Sequence, residues 1–313
     1  MEEKSCARAG KAIPIMGDME FLWTAPDGNL LRCEEWRPES LARAAVVFLH
    51  GMSGWAKDFQ PVGEMLAGER VAAFALNLRG QGLDPHPRDR GMDLNLEHIE
   101  KDVMAFIGFV KEQVPDRPVF LFGESMGSLV SMWLLAQSPV RSQVAGAILS
   151  VPVVALKKPT HPILQTLLQG AATLVPRLRF NPGRFVTSKR APLQLTHDTE
   201  WQENRRLTEQ HIRVFSVRFL WRLGQLITSS STLAPKVQVP LLVLAAGKDV
   251  FVHADRIAEW FDLIGSPDKT LHTYHESCHL LWWDIKRDQV LEDIRHWLEE
   301  RLAQGAVSTS ERD

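Results

Sequence analysis

Tyrosine occurs once and cysteine three times in 313 residues, which makes them the scarcest reactive side chains in the chain. Cys6, Cys33 and Cys278 are odd in number and unrelated in spacing. That excludes a disulfide framework or a zinc ribbon and fits a reducing compartment. Long hydrophobic runs are also missing. Even the apolar stretch Ile163–Pro176 is interrupted by Gln165 and Gln169, so a membrane-spanning helix is not expected. The first 17 residues carry Glu2, Glu3, Lys4, Arg8 and Lys11 without an apolar core, so no secretory signal is expected and the address is read as cytoplasmic. No excess of one charge exists either: 36 basic against 38 acidic side chains leave −2. Such a balance supplies no general affinity for nucleic acid. What is present is globular: 45% hydrophobic and 24% charged residues, with ten tryptophans. A chain of this length buries about three quarters of its surface, enough for a large core without metal or disulfide staples. Its length allows two domains, or one α/β domain with an insertion.

Met19–Trp23 and Leu30–Trp36 read as a hairpin around an Asp27-Gly28 turn. Ala44–Leu49, Val71–Leu78, Val119–Phe122, Val144–Val151 and Leu241–Ala245 are continuous apolar runs, the pattern of strands covered on both faces. Between them, Ile99, Val103, Phe106, Ile107 and Val110 form one stripe of a helix over 94–113. This alternation predicts an α/β fold with a mostly parallel, eight-stranded sheet and helices on both faces. It stops near Pro152 and resumes near Pro240. The expected division is a polar tail (1–17), a core (18–152 and 236–304), a helical insertion (153–235) and a C-terminal tail (305–313). Ile212, Phe215, Phe219, Leu223 and Leu226 fall on one helical stripe of the insertion. The insertion carries twelve basic and four acidic side chains, or +8, which leaves −10 on the rest. Near-neutrality therefore conceals a basic insertion on an acidic body.

Gly123-Glu124-Ser125-Met126-Gly127 follows an expected strand and opens an apolar helix, the context that a G-x-S-x-G nucleophile turn requires. A tight strand-to-helix turn lifts the serine hydroxyl above the sheet, and the small flanking residues let the turn pass close to its neighbours. The plainer reading is a chance match of a short pattern. Serine alone is a poor nucleophile, so a base, an orienting acid and oxyanion donors must also be found. His50-Gly51-Met52 ends a strand where the second oxyanion donor is expected, which nominates the backbone amides of Met52 and Met126. Asp249, at the carboxyl edge of the sheet after Ala246-Gly247, is the candidate acid; Asp255 is the rival but falls in the next helix. His272, His275 and His279 crowd one segment, and a loop position after a strand over 270–274 favours His275 or His279. With His279, the order Ser125, Asp249, His279 is the one the template expects.

His275-Glu276-Ser277-Cys278-His279 also matches H-E-x-x-H, which on a helix would present two zinc ligands and a base. Here it directly follows a strand, so zinc hydrolysis is the weaker expectation and no metal is assigned. Nothing in the sequence lowers the pKa of Cys278, so a cysteine nucleophile has no support. A hydrolase-fold binding protein without turnover is the remaining alternative.

His50-Gly-Met-Ser-Gly54, Asn77-Leu-Arg-Gly-Gln-Gly82, Gly123-Glu-Ser-Met-Gly127, Ala246-Gly-Lys-Asp249 and His279-Leu-Leu281 together resemble the serial landmarks of the monoacylglycerol lipase and lysophospholipase branch of the α/β-hydrolases. The resemblance covers about residues 18–302, with the insertion matching only in position and size. It implies Ser125 as nucleophile, Asp249 as acid and His279, not His275, as base. It also implies a helical cap lining an acyl pocket, and hydrolysis of monoacylglycerol, lysophospholipid or similar esters through an acyl-enzyme without a cofactor. Peptidase and acyltransferase chemistry would use the same triad. Gly51, Trp55, Trp201, Trp221 and Trp282 are the expected pocket residues, an aromatic-rich acyl site. Anionic head groups or a membrane surface would suit the basic 157–190 stretch at low salt, although a solvated positive face explains it equally. Two positions depart from the family pattern. Asn77–Asp84 stands where D-x-R-G-H-G-x-S is usual, which should alter loop hydrogen bonds and leave the chemistry intact. Glu124 replaces a frequent histidine; its carboxylate would contact the triad surroundings or, more plainly, pack against arginine or solvent.

Overall fold

A computed structural model describes residues 12–14, 19–84, 86–157, 162–182 and 193–310. The N-terminal hairpin forms as expected: β2 (Glu20–Thr24) and β3 (Leu30–Trp36) pair antiparallel. Gly28 turns between them at φ +85°, a conformation that costs glycine little, and Asp27 accepts from the Asn29 amide. A three-residue strand, β1 (Ala12–Pro14), adds to the outer edge of β2 within the segment read as a polar tail. The expected eight strands are present and β1 makes nine among the described residues, in the order β1, β2, β3, β5 (Val71–Leu76), β4 (Ala44–Leu49), β6 (Val119–Glu124), β7 (Gly146–Ser150), β10 (Leu241–Ala246) and β11 (Lys269–Tyr274). A proline is tolerated on such an edge because no further strand needs its missing N–H.

From β4 (Ala44–Leu49) onward every pairing in this sheet is parallel except β3 with β5 (Val71–Leu76). Along β4, β5, β6 (Val119–Glu124) and β10 (Leu241–Ala246) every residue is buried, as continuous apolar runs demand. Side chains alternate between two cores: Ala45, Val47 and Leu49 enter one, and Ala44, Val46 and Phe48 enter the other. Helix α1 (Gln60–Gly68) lies on the second face. Helices α2 (Leu96–Gln113) and α3 (Met126–Gln137) cover the first. Asn95 starts α2 by accepting from the Glu97 and His98 amides, two of the donors a helix start leaves unpaired.

Between β7 (Gly146–Ser150) and β10 the chain forms α4 (Pro162–Leu174), β8 (Arg179–Phe180), α5 (Thr199–Leu207), β9 (Phe215–Ser216) and α6 (Val217–Leu233). This insertion is less purely helical than its periodicity suggests. Ser216 caps α6 by accepting from Phe219 N at 3.0 Å, so Ile212 and Phe215 of the expected stripe lie ahead of the helix. Both are nevertheless buried, along with Phe219 and Leu226. Beyond β10 follow α7 (Ala254–Asp262), β11 (Lys269–Tyr274) and α8 (Arg287–Ser310). Helix α8 runs past residue 304, so the expected C-terminal tail is helical as far as Ser310. Among the insertion's expected basic residues, Lys158, Arg184, Lys189 and Arg190 lie outside the described residues.

Candidate active site

The turn from β6 into α3 holds Ser125 at φ +52° and ψ −112°, a strained conformation for a residue with a Cβ. Its glycines are needed for close approach. A Cβ on Gly127 would stand 1.9 Å from the Leu49 carbonyl oxygen, and one on Gly123 would stand 2.4 Å from that of Gly127. Ser125 N donates to Ser150 O at 2.9 Å, which ties the turn to the neighbouring strand. The serine remains partly accessible at the carboxyl edge of the sheet.

His279 Nε2 lies 2.9 Å from Ser125 Oγ, and its Nδ1 lies 2.6 Å from Asp249 Oδ2. Asp249 and His279 are buried. The other Asp249 oxygen accepts from Phe251 N at 2.7 Å, and the Phe251 ring meets His279 edge-on at 4.8 Å. Burial opposes a charge on His279, but the charge and hydrogen bond of Asp249, with Glu124 behind them, outweigh it and hold the pKa above the ordinary 6.5. Such a chain can take the serine proton and stabilise the imidazolium that results.

Beside Ser125 stands the loop after β4. A Cβ on Gly51 would lie 3.1 Å from that of Ser125, so the loop and the nucleophile turn are in contact. Among the described residues the Met52 and Met126 amides donate to no protein acceptor, which leaves both N–H groups available to a ligand oxygen. His50 holds this loop from below. Its Nδ1 lies 2.8 Å from Gly51 O, and its Nε2 accepts from Leu78 N at 3.1 Å. Burial lowers its pKa to about 4, so the ring is neutral and joins the loop to the 77–84 segment. That segment is structural, as expected. Asn77 Oδ1 accepts from Ala56 N at 2.7 Å, and Arg79 pairs with both Asp27 and Asp102.

Glu124 is buried instead of solvated, and Gly51 N donates to its Oε2 at a long 3.4 Å. Burial, reinforced by the Asp58 charge, pushes its pKa up to about 7. Sequence reasoning missed the pair next to it. Arg205 of α5 grips Asp58 with Nε at 3.0 Å and Nη2 at 2.6 Å, and Nη2 also reaches Ser53 O at 3.2 Å. Its guanidinium sits 4.5 Å from the Trp55 ring centre. On the far side of Asp58, its carbonyl accepts from both Trp282 Nε1 at 2.9 Å and Trp283 Nε1 at 2.8 Å.

Several candidates fall elsewhere. Asp255 lies in the first turn of α7, and the carboxylate that meets His279 is that of Asp249. His272 lies 3.5 Å from Asp293, and His275 is exposed. Residues 275–279 form a turn and bend with no helix, and Glu276 pairs with Lys286 at 2.8 Å, so the H-E-x-x-H match lacks the geometry of a zinc helix. Burial first, then the Asp284 charge, pushes the Cys278 thiol up to about 11, the wrong direction for a nucleophile. Trp282 is a core residue, fully buried and stacked on Phe59 at 5.3 Å. Trp201 stacks on Trp283 at 4.3 Å, while Trp55 and Trp221 remain partly exposed.

Known proteins resemble this chain along most of its length. Human (Homo sapiens) monoglyceride lipase is 25% identical over 312 residues, covering 98% of this chain and 99% of that protein. Phospholipase YtpA of Bacillus subtilis is 27% identical over 263 residues, covering 83% of this chain and 96% of its own. A soluble variant of the Saccharomyces cerevisiae monoglyceride lipase, solved with a substrate analogue, superposes with a TM-score of 0.77 at 19% identity, covering 92% of this chain and 97% of the yeast one. The family model described as serine aminopeptidase, S33, matches residues 40–286, from the approach to β4 through His279, and the chain belongs to that family of α/β-hydrolases.

Proposed function

We propose that the chain is a serine carboxylic-ester hydrolase for monoacylglycerol or lysophospholipid-like substrates, with Ser125 as nucleophile, His279 as base and Asp249 as orienting acid. The observation that carries this reading is the continuous Ser125–His279–Asp249 hydrogen-bond chain, at 2.9 and 2.6 Å. His279 takes the Ser125 proton as Oγ attacks the ester carbonyl. The Met52 and Met126 amides hold the oxyanion, where each donor is worth roughly 2.7–4 kcal/mol. His279 then protonates the leaving alcohol, activates water and returns the serine as the acyl-enzyme hydrolyses. No step calls for a cofactor.

Residues 153–235 act in this reading as a cap over the acyl site, with Gly51, Trp55 and Trp221 at its inner edge. The names of the human and Bacillus relatives favour lipid esters over peptides. The family description favours the second reading, amide cleavage by the same triad. The exposed Ile163, Leu167, Leu174 and Val175 of α4 and the residue after it, with exposed Arg177 beside them, suit peripheral contact with an anionic lipid surface. No helix among the described residues is long and apolar enough to cross a membrane. The free thiols of Cys33 and Cys278 accord with a cytoplasmic address.

Fluorophosphonate labelling and a panel of glycerol esters, p-nitrophenyl esters of increasing chain length and peptide amides test both readings. Ser125→Ala is expected to abolish labelling and turnover, with long-chain glycerol esters preferred by the unaltered chain. Undiminished labelling of the variant would overturn the nucleophile. Preference for the amides would move the substrate class to peptides.

A further inference from the structure

Cys278 adjoins His279 but takes no part in the chain from Ser125 to Asp249. Its Sγ lies 3.7 Å from His197 Nδ1, and that same nitrogen lies 2.7 Å from Asp284 Oδ1. All three ligand-type atoms fall within 4.8 Å of one another. The Cys278 and Asp284 side chains are buried, and His197 is partly so. Backbone contacts fix the partners from both sides: Leu280 N donates to Leu195 O at 2.9 Å, and Cys278 N donates to Asp284 Oδ2 at 2.6 Å.

A thiol, imidazole and carboxylate brought together can form a proton relay or a cation site, and the ring nitrogens distinguish them. A relay uses opposite nitrogens, as His279 does with Ser125 and Asp249. Here the sulfur and the carboxylate converge on the same nitrogen, and Asp284 Oδ1 is held there by further bonds from His197 N at 2.7 Å and Thr196 Oγ1 at 3.3 Å. From this convergence we propose that His197 Nδ1, Cys278 Sγ and Asp284 Oδ1 bind a thiophilic divalent cation of the zinc or cobalt class, with water completing a tetrahedron. Sulfur and nitrogen donors disfavour magnesium and calcium, which take oxygen ligands.

Such an ion fixes all three edges, and the Cys278 Sγ···Asp284 Oδ1 separation, within 4.8 Å, has to close to about 3.6 Å on binding. Bonds of about 2.3 Å to sulfur and about 2.0–2.1 Å to nitrogen put tetrahedral ligands about 3.5 Å apart for the N···S edge. The observed 3.7 Å already matches that edge. An N···O edge would be about 3.3 Å by the same bond lengths. The 2.7 Å contact therefore has to open modestly as the shared proton gives way to the ion. On binding, the Cys278 thiol loses its proton to buffer, and the His197 proton moves to Nε2, so one proton leaves per cation. His197 belongs to the insertion and the other two ligands to the loop that carries His279, so the ion would fasten those two parts together. This site differs from the H-E-x-x-H match, because it uses neither His275 nor His279. It also stands independently of the ester-hydrolase reading.

The test is a titration of chelator-stripped full chain with Co2+, followed by displacement with Zn2+. One cobalt per chain is expected, with visible tetrahedral bands and a near-ultraviolet thiolate-to-cobalt band, all retained in Cys33→Ala. Cys278→Ser should lose the thiolate band. Both it and His197→Ala should bind at least roughly 100-fold more weakly, the upper end of what even outer-shell changes cost. Circular dichroism confirms that each variant is folded, and the half-buried His197 makes His197→Ala informative should Cys278→Ser fail to fold. The proposal is overturned by absence of stoichiometric uptake, by a thiolate band that survives in Cys278→Ser, or by unchanged affinity in His197→Ala.

Discussion

Glu124 shows how one side chain can set the working range of its neighbours. Its carboxyl, buried beside Ser125 and pushed up to about 7, is ionised toward the alkaline side of neutrality, and its charge helps to raise His279. Asp249 raises His279 more strongly, and the Arg205–Asp58 pair stands behind both. The neutral imidazole is the proton acceptor, so kcat/KM should rise with pH to half its maximum above 6.5, the ordinary histidine value. Glu124→Gln removes one of the charges that favour the imidazolium, so its acid limb should move to lower pH. A pH–rate profile on a soluble short-chain ester checks this; coincident limbs would show that the Glu124 charge does not reach His279. At this scale the sequence was most readable where geometry is local. Gly123 and Gly127 announce Ser125 because only glycine survives a close approach to backbone oxygen. Asp58 and Arg205 carried no such sign. They are 147 positions apart, and nothing in either neighbourhood foretells that they meet.

Among the elements, the buried strands were legible to within three residues: Ala44–Leu49 is β4 itself, Leu241–Ala245 is one residue short of β10, and Val144–Val151 overruns β7 by two residues at its start and one at its end. A strand covered on both faces must be apolar throughout, and few other structures impose that pattern. The insertion was less legible. Ile212 and Phe215 share a helical stripe with Phe219, yet Ser216 caps the helix after them, and burial alone does not report where a helix begins. Helix α4 is the counterpart case, an apolar helix that stays outside. Leu167 is 64% exposed and Leu174 82%, beside the exposed Arg177. If this face meets an anionic lipid surface, monoacylglycerol turnover in anionic vesicles should fall with added salt, because the screening length shrinks from about 10 Å at 0.1 M to about 3 Å at 1 M. Leu174→Glu should lower vesicle turnover several-fold and leave hydrolysis of a soluble short-chain ester unchanged. Salt-independent turnover together with an unaffected Leu174→Glu variant would remove the surface contact.

Across the whole molecule, part of the charge asymmetry between insertion and body joins them, through Arg205, Arg218 and Arg222. Arg205 and Asp58, with side chains 9% and 7% exposed, form a buried pair across that boundary. Asp93 receives Arg222 at 2.9 Å and lies 3.8 Å from Arg218. Removing one member of a buried pair leaves the other charge uncompensated, at a cost of about 3–5 kcal/mol. Arg205→Met should therefore lower the unfolding free energy by about that amount, and Arg205→Met combined with Asp58→Asn by clearly less than the sum of the two. Denaturant unfolding of the four proteins of the cycle measures the coupling, and additive losses would show that the pair does not act as a unit. The same clasp bears on exchange of parts between relatives. An insertion that balanced its own charges could be transplanted as a cassette. This one leaves its counter-ions, Asp58 and Asp93, behind in the body it came from, so a chimera that carries residues 153–235 alone would arrive with guanidinium groups and nowhere to put them.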